Sequence, residues 1–341
     1  MTTRHLPVLP ALVRNLFLDE PRRVRRILDA TCGGGGHARI LAEAGHAVIA
    51  LDRDPRAIEI ARENLGDLAL PPPSASRQPP NPVPGRVLLL NRCFSDCTDL
   101  APLDGVVADL GLSSDQLADS ERGFSFRADG PLDMRMDPRA GRTAAEFIAE
   151  GRPEELERIL RLYGEERSSR LLARRLSGRS FASAEALAEE IARIVRRSRR
   201  IRRGRIHPAT RVFQALRIAV NDELGELERF LERLPPLLSP GARVLVITFH
   251  SLEDRIVKRV FRNWTRSVPR GSGLFRERSG GTKAEDTVPR ACCDRKMSEM
   301  KRAVFLWKGV KRADEKERRA NPRSRSAKAR AVEIITAGYE E

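Results

Sequence analysis

Two short apolar runs each end in an aspartate, and four consecutive glycines lie between them. Ile27-Leu28 closes on Asp29, Thr31-Cys32-Gly33-Gly34-Gly35-Gly36-His37 follows, and the run AVIALD ends on Asp52. The stretch ARILAEAG between them has helical character, with Gly45 near its end. Asp54-Pro55 then opens a second helix, with Ala57, Ile58, Ala61 and Leu65 on one face. Strand, glycine loop, helix, strand, helix is the opening of a doubly wound α/β sheet.

A glycine-rich turn after a strand lets backbone amides approach a ligand closely. Asp52 follows Gly33 by 19 residues and ends the next strand. That is the place for a carboxylate that accepts hydrogen bonds from ribose hydroxyls. NAD-type dehydrogenases and S-adenosylmethionine enzymes both use this arrangement. The loop lacks a clean GxGxxG, and no GKS or GKT follows it. Asp29-Ala30-Thr31 before the glycines suits the methyltransferase style, where the carboxylate holds the methionine end or orders the loop. A tight turn beside a solvated carboxylate is the competing reading of the loop taken alone.

Further along, RVLLL resumes the sheet and leads to Asn91 and Phe94, and GVVADLG forms a fourth strand ending at Asp109. Residues 71–85 hold seven prolines in fifteen positions and read as a surface loop or spacer. From residue 121 the pattern changes to helical stretches around 143–150, 153–163, 165–177 and 183–200, with no convincing strand. The expected organisation is a first methyltransferase-type part over 1–120, an inserted helical subdomain over 121–204, and a second part over 205–341 with a basic end. ARVLVITFH is expected as a strand and RAVFLW as the last one. Ser251 is expected to cap the helix SLEDRIVKRVFRNW, with Asp254 three residues on. Residues 266–290 read as a mobile Gly-, Ser- and Arg-rich stretch.

Lys and Arg number 63 against 47 Asp and Glu, a net charge of +16. Such an excess favours a polyanionic partner over a small metabolite. Residues 193–205 carry eight arginines in thirteen positions, and residues 296–330 carry 13 basic against 4 acidic residues. Exposed clusters of this kind attract a phosphate backbone without selecting sequence; a solvated arginine-rich helix face is the alternative. No apolar run is long enough to span a bilayer, and MTTRHLPVLP has no signal-peptide character, so a cytoplasmic protein without a membrane partner is expected. Five histidines, no HExxH and no CxxC argue against a metal. Cys32, Cys93 and Cys97 read as packing residues rather than nucleophiles. The sequence does not set an oligomeric state.

A series of longer segments identifies the chain as similar to the RsmH family, also called MraW. They are DATCGGGGHA at 29–38, LDRDP at 51–55, DLGLSSDQL at 109–117, RGFSFRADGPLDMRMD at 122–137, YGEER at 163–167, HPATRVFQALRIAVNDEL at 207–224, ITFHSLEDRIVK at 247–258 and NPRSRSAKAR at 321–330. The resemblance covers nearly the whole chain. It implies a Rossmann-like class I methyltransferase with an inserted helical subdomain. It also implies methyl transfer from S-adenosyl-L-methionine to the N4 amine of a cytidine in 16S rRNA, within the small (30S) ribosomal subunit. Carried onto matching positions, it implies cofactor contacts from Gly35, Gly36, His37, Asp52, Phe94, Asp109 and Gln116. Departures are the proline-rich stretch at 71–85, Cys32 in the loop, and the residues before NPR.

Asp109 can bind the target amine, the cofactor or both, and the loop Leu110–Ser114 is expected to frame the amine. His250 and Ser251, with Glu253, Asp254 and Arg255, form either a capped helix start or a wall of the cytidine pocket. His207 either orders a helix or belongs to the site. Asn221 binds either the cytidine or a neighbouring loop. Phe124, Phe126 and DGPLDMRMD either line the pocket or pack the subdomain. The competing functions are a methyltransferase acting on another RNA or on a protein, and a non-catalytic RNA-binding assembly factor.

Overall fold

The five apolar runs of the α/β pattern are strands whose pairing gathers their carboxyl ends along one edge. A computed structural model describes residues 7–18, 25–72, 81–126, 129–197, 207–265 and 302–335. One sheet contains β1 (Arg26–Asp29), β2 (Ala47–Asp52), β3 (Val87–Asn91), β4 (Leu103–Asp109), β5 (Leu238–Thr248), β6 (Arg302–Phe305) and β7 (Lys328–Ile335). Their order is β3-β2-β1-β4-β5-β7-β6. Neighbours among β1 to β5 are parallel, and β7 runs antiparallel to both β5 and β6. The doubly wound expectation is therefore met. The chain order reverses between β1 and β4, which leaves a crevice above the carboxyl ends of those two strands. Asp29 and Asp109 end them.

The apolar strands are buried on both faces, as a parallel sheet requires. Leu28, Ile49, Leu51, Leu88, Leu90 and Val106 pack on one side with Phe230, Leu231 and Phe261. Their neighbours Ile27, Val48, Ala50, Val87, Leu89 and Val107 pack on the other with Val13, Phe17 and Leu41. That alternation is the two-residue period of a strand. Pro240-Gly241, just before the expected strand ARVLVITFH, lies inside β5. The partners Leu103↔Leu238 and Gly105↔Arg243 show a register shift there, and the irregularity takes up the proline.

RAVFLW supplies β6, but the last strand is β7, which begins in the segment 296–330 that reads only as basic. Ala329 and Ala331 carry little strand signal, and Arg330 reads as a surface charge. Pairing with β5 overrides both, and Arg330 is buried against Asp254 at 2.8 Å.

The helical residues have a core of their own. It joins helices Ala144–Glu150, Pro153–Leu162, Ser169–Leu176 and Ala184–Arg197 to Leu132, Met134 and Phe124. Helix Ala209–Asn221, placed by sequence in the second methyltransferase part, contributes Ala209, Val212, Phe213, Ala215 and Leu216 to this core. Phe126 stacks on His207 with centroids 4.8 Å apart, and His207 Nδ1 accepts the Ala209 N–H at 3.2 Å. His207 therefore orders a helix start. Gly130 allows a crossing that no side chain would permit: a Cβ there would lie 1.7 Å from the Ser120 carbonyl oxygen. Among the described residues no helix is long and apolar enough to cross a membrane. The stretches 266–290 and Cys292-Cys293, and parts of 71–85, 193–205 and 296–330, lie outside the described residues.

Candidate active site

The crevice is a cleft of about 900 Å³, open solvent at its mouth included, lined by residues from both chain ends and from the helical layer. Its floor is the loop after β1. Gly33 has φ +50° and Gly35 φ +83°, which favour glycine. Gly36 begins the helix Gly36–Glu43, and a Cβ there would lie 3.1 Å from Pro7. Gly33, Gly36 and His37 line the cleft, whereas Gly35 does not: a Cβ there would meet Leu65, and its N–H donates to the Cys32 carbonyl at 2.8 Å.

Asp52 ends β2 and ties the loop down. Its Oδ2 accepts the Gly33 N–H and its Oδ1 the Asp54 N–H, both at 2.9 Å. Burial pushes its pKa up to about 6, against those two bonds. Asp29, fully buried, is likewise held at about 6 by burial, although His37 favours its charge. His37 Nε2 lies 3.5 Å from Asp109 Oδ2, with both side chains under a tenth exposed. Burial disfavours the imidazolium, but Asp109 and then Asp29 outweigh it, and the pKa of His37 is raised.

Some atoms here have no hydrogen-bond partner. Asp109 Oδ1 and His37 Nδ1, on residues that line the cleft, and Asp29 Oδ2, on a residue that does not, are buried without a hydrogen bond. Unpaired buried polar atoms are costly, and those at a cleft mark a place for a polar ligand. The Asp109 carboxylate at the end of β4 suits an ammonium or a sulfonium, and Asp52 suits a ribose. The donor set thus fits S-adenosylmethionine.

The other cofactor candidates divide. Phe94 lines the cleft and packs edge-on against Phe230 at 5.2 Å. Gln116 also lines it, but its amide is engaged. Oε1 accepts the Ser113 N–H, and Nε2 donates to Asp54 Oδ2 at 2.9 Å. Gln116 and Ser113 form a capping box that fixes the loop after β4.

Asn221 does not line the cleft. It is buried, its Oδ1 accepts the Met136 N–H at 2.7 Å, and its Nδ2 donates to the carbonyls of Met134 and Arg217. Every hydrogen of the amide is used on backbone, so it holds a neighbouring loop rather than a base. Met136, on that loop, does line the cleft.

Ser251 is not the helix cap. The cap box is His250–Glu253: the Glu253 N–H approaches His250 Nδ1 at 3.4 Å, and Glu253 Oε2 accepts the N–H of Phe249 at 2.8 Å. Exposed Ser251 instead donates to Glu165, and Asp254 pairs with Arg330. His250 and Ser251 do not line the cleft; Glu253 does. Glu253 is 2% exposed; burial opposes its charge, but His250, the Phe249 N–H and Arg217 together outweigh it and its pKa is lowered.

Glu223, His250 and Glu253 place ligand atoms within 4.8 Å of one another, a spacing a cation could bridge. That capacity is already engaged. Arg217 holds both oxygens of Glu223 at 2.7 and 2.9 Å. His250 accepts at Nδ1, so in the neutral ring its proton sits on Nε2, 3.2 Å from Glu253.

Glu223, Glu226 and Arg323 also line the cleft and were not singled out by sequence. Glu223 and Arg323 lie in segments that carry the family resemblance, at 207–224 and 321–330, but no local pattern separates any of the three from its neighbours. Cys32 and Cys97 are buried and Cys93 donates to Glu226; burial raises all three thiols, Cys97 to about 11.

Residues 2–335 match the model of the MraW methylase family. A protein named ribosomal RNA small subunit methyltransferase H from Syntrophotalea carbinolica is 42% identical over 342 residues, covering 96% of this chain and 97% of that protein. Proteins of the same name from Anaeromyxobacter dehalogenans and Geobacter sulfurreducens are 42% and 40% identical, covering 97% and 98% of this chain and 98% and 100% of theirs. A match running through the glycine loop, the helical layer and β7 alike covers every element that builds the cleft, and the chain belongs to the MraW methylase family.

Proposed function

We propose that the chain transfers a methyl group from S-adenosyl-L-methionine to the N4 amine of a cytidine in 16S rRNA of the small ribosomal subunit, in the cytoplasm. The observation that carries the reading is the buried polar pair His37–Asp109 at the cleft, with His37 Nδ1 and Asp109 Oδ1 left without a hydrogen bond. The relatives' names supply the substrate class. The net charge of +16 agrees with an RNA partner.

The bound cofactor supplies an electrophilic methyl group on a sulfonium. Gly33, Gly36 and Asp52 would hold its nucleoside part, and His37 and Asp109 would meet its charged methionine part. The N4 amine is a poor nucleophile because its lone pair is delocalised into the ring. Orientation therefore carries much of the catalysis. Asp109 Oδ1 accepts an amine hydrogen and helps localise the lone pair on nitrogen. The amine becomes acidic as it is alkylated, so no strong base is needed beforehand. The loop Leu110–Ser114 and Met136 wall the base.

The test uses methyl-labelled S-adenosylmethionine and small subunits lacking the modification, followed by nucleoside mass spectrometry. Label in N4-methylcytidine is expected. Label in another nucleoside or in protein moves the substrate, and no label with bound cofactor favours a non-catalytic assembly role.

A pH dependence follows from Asp52. Its carboxylate must be ionised to accept two ribose hydroxyls, and its pKa of about 6 puts the transition within reach. The affinity for S-adenosylhomocysteine is expected to be flat above about pH 7 and to fall by up to about tenfold per pH unit below about pH 6. Folding has the opposite sign. A carboxyl raised by the fold favours the native state below its unfolded pKa, and that contribution is lost as pH rises through about 6. Asp52→Asn should bind the cofactor weakly and with a shallower slope, since Asp29, also at about 6, still titrates, and it turns an amide NH2 onto one of the Gly33 and Asp54 N–H donors. Calorimetric titration across that range decides it; a constant affinity contradicts the ribose role.

A further inference from the structure

Segment 314–325 folds back over the cleft. Asp314 caps the short helix Glu315–Ala320, accepting the Glu317 N–H at 2.8 Å. Glu317 accepts the Leu9 N–H at 2.6 Å, beside Pro7 on the cleft wall. Asn321 then accepts the Arg323 N–H at 3.2 Å, and the Ser324 hydroxyl, fully buried, donates to the Asn321 carbonyl at 2.8 Å. This turn fixes the direction of Arg323. The guanidinium points into the cleft, not out to solvent as a basic tail would suggest. Its Nη1 donates to Ser114 Oγ at 3.1 Å and its Nη2 to the Leu112 carbonyl.

Those two acceptors lie on the loop that follows Asp109. Leu112 and Ser113 line the cleft, and Ser114 starts the helix carrying Gln116. The charges of Asp109 and Asp115 face the guanidinium. A fork with two diverging donors matches two acceptors two residues apart, whereas an ammonium is a point donor.

We propose that Arg323 is a positioning residue for methyl transfer: it sets the Leu110–Ser114 loop against the target amine and makes the segment 314–325 part of the active site. The inference rests on the proposed methyl transfer in this cleft. Arg323 acts through the loop and not on the reacting atoms. Within the basic C-terminal segment, Arg323 is thus turned inward onto the cleft.

The experiment compares full-length wild type, Arg323→Ala and Arg323→Lys. Backbone hydrogen exchange at residues 110–118 needs neither cofactor nor turnover. It is expected to speed up by about tenfold or more in Arg323→Ala, with exchange in β1 to β3 unchanged. In labelled transfer, kcat should fall about 10- to 100-fold, the loss of two charge-assisted hydrogen bonds, with the Kd for S-adenosylhomocysteine kept within about threefold. Added ethylguanidinium should restore part of the loop protection and of kcat to Arg323→Ala. Arg323→Lys should recover only a fraction. Unchanged exchange in the loop overturns the proposal. So does a loosened loop with normal kcat, or a loss that follows global stability and resists rescue. If wild type binds S-adenosylhomocysteine but methylates no RNA, the functional reading fails, and the exchange data still decide whether Arg323 holds the loop.

Discussion

Asp109→Asn should lower kcat/KM for methyl transfer by about 100- to 1,000-fold without changing the fold. Asparagine has the same shape, so the substitution removes charge and little else. The Asp109 backbone N–H still donates to Thr31 Oγ1 at 2.6 Å, and β4 keeps its place between β1 and β5. Two things are lost. Oδ1, unpartnered in the protein, becomes a weaker acceptor for an amine hydrogen or forces an amide donor on it. His37 loses the nearest charge that holds its proton, so its raised pKa should drop. Steady-state kinetics with both substrates, together with NMR titration of His37, separate these effects. Turnover near wild type would remove the charge of Asp109 from any essential role, and an unshifted His37 would break the proposed pair.

Asn221→Ala should cost about 3–5 kcal/mol of stability, because it strands buried backbone groups. The Met136 N–H and the carbonyls of Met134 and Arg217 each lose a partner, in a place water does not reach easily. Met134 adopts a left-handed φ of 62°, so the loop that Asn221 pins has little intrinsic preference for its shape. Asn221→Asp should also destabilise, since it keeps the acceptor for Met136 but turns a carboxylate onto two carbonyls. Denaturant midpoints and S-adenosylhomocysteine affinity, measured where both variants remain folded, provide the test. A normal midpoint with turnover abolished would return Asn221 to the base-contacting role that sequence left open.

These two residues show what a linear reading can reach. Asp109 was legible because a strand end in a doubly wound sheet is a chemical position whatever its neighbours are. The same logic found Asp29 and Asp52, and the glycines between them. Asn221, His250 and Ser251 were legible only as polar residues near expected strand or helix ends. Whether such a side chain faces a ligand or the backbone depends on what crosses it. For Asn221 that is the 134–136 segment, 85 residues away along the chain from its Met136 partner. Ser251 looked like a cap because serine usually is one; Glu253 instead selects His250 by reaching back to the amides of Phe249 and His250.

Local periodicity and turn chemistry determined the strands β1 to β5, the glycine loop and its carboxylates, since each depends on residues a few positions apart. Charge composition pointed to a polyanion for the same reason, being a sum that needs no coordinates. Tertiary structure alone decided the rest. It turned an alanine- and arginine-containing tail into β7, because pairing with β5 outweighs weak strand propensity. It joined helix Ala209–Asn221 to the helical core. It also brought Arg323 onto a loop more than 200 residues away, through contacts whose energy exists only once the sheet has closed.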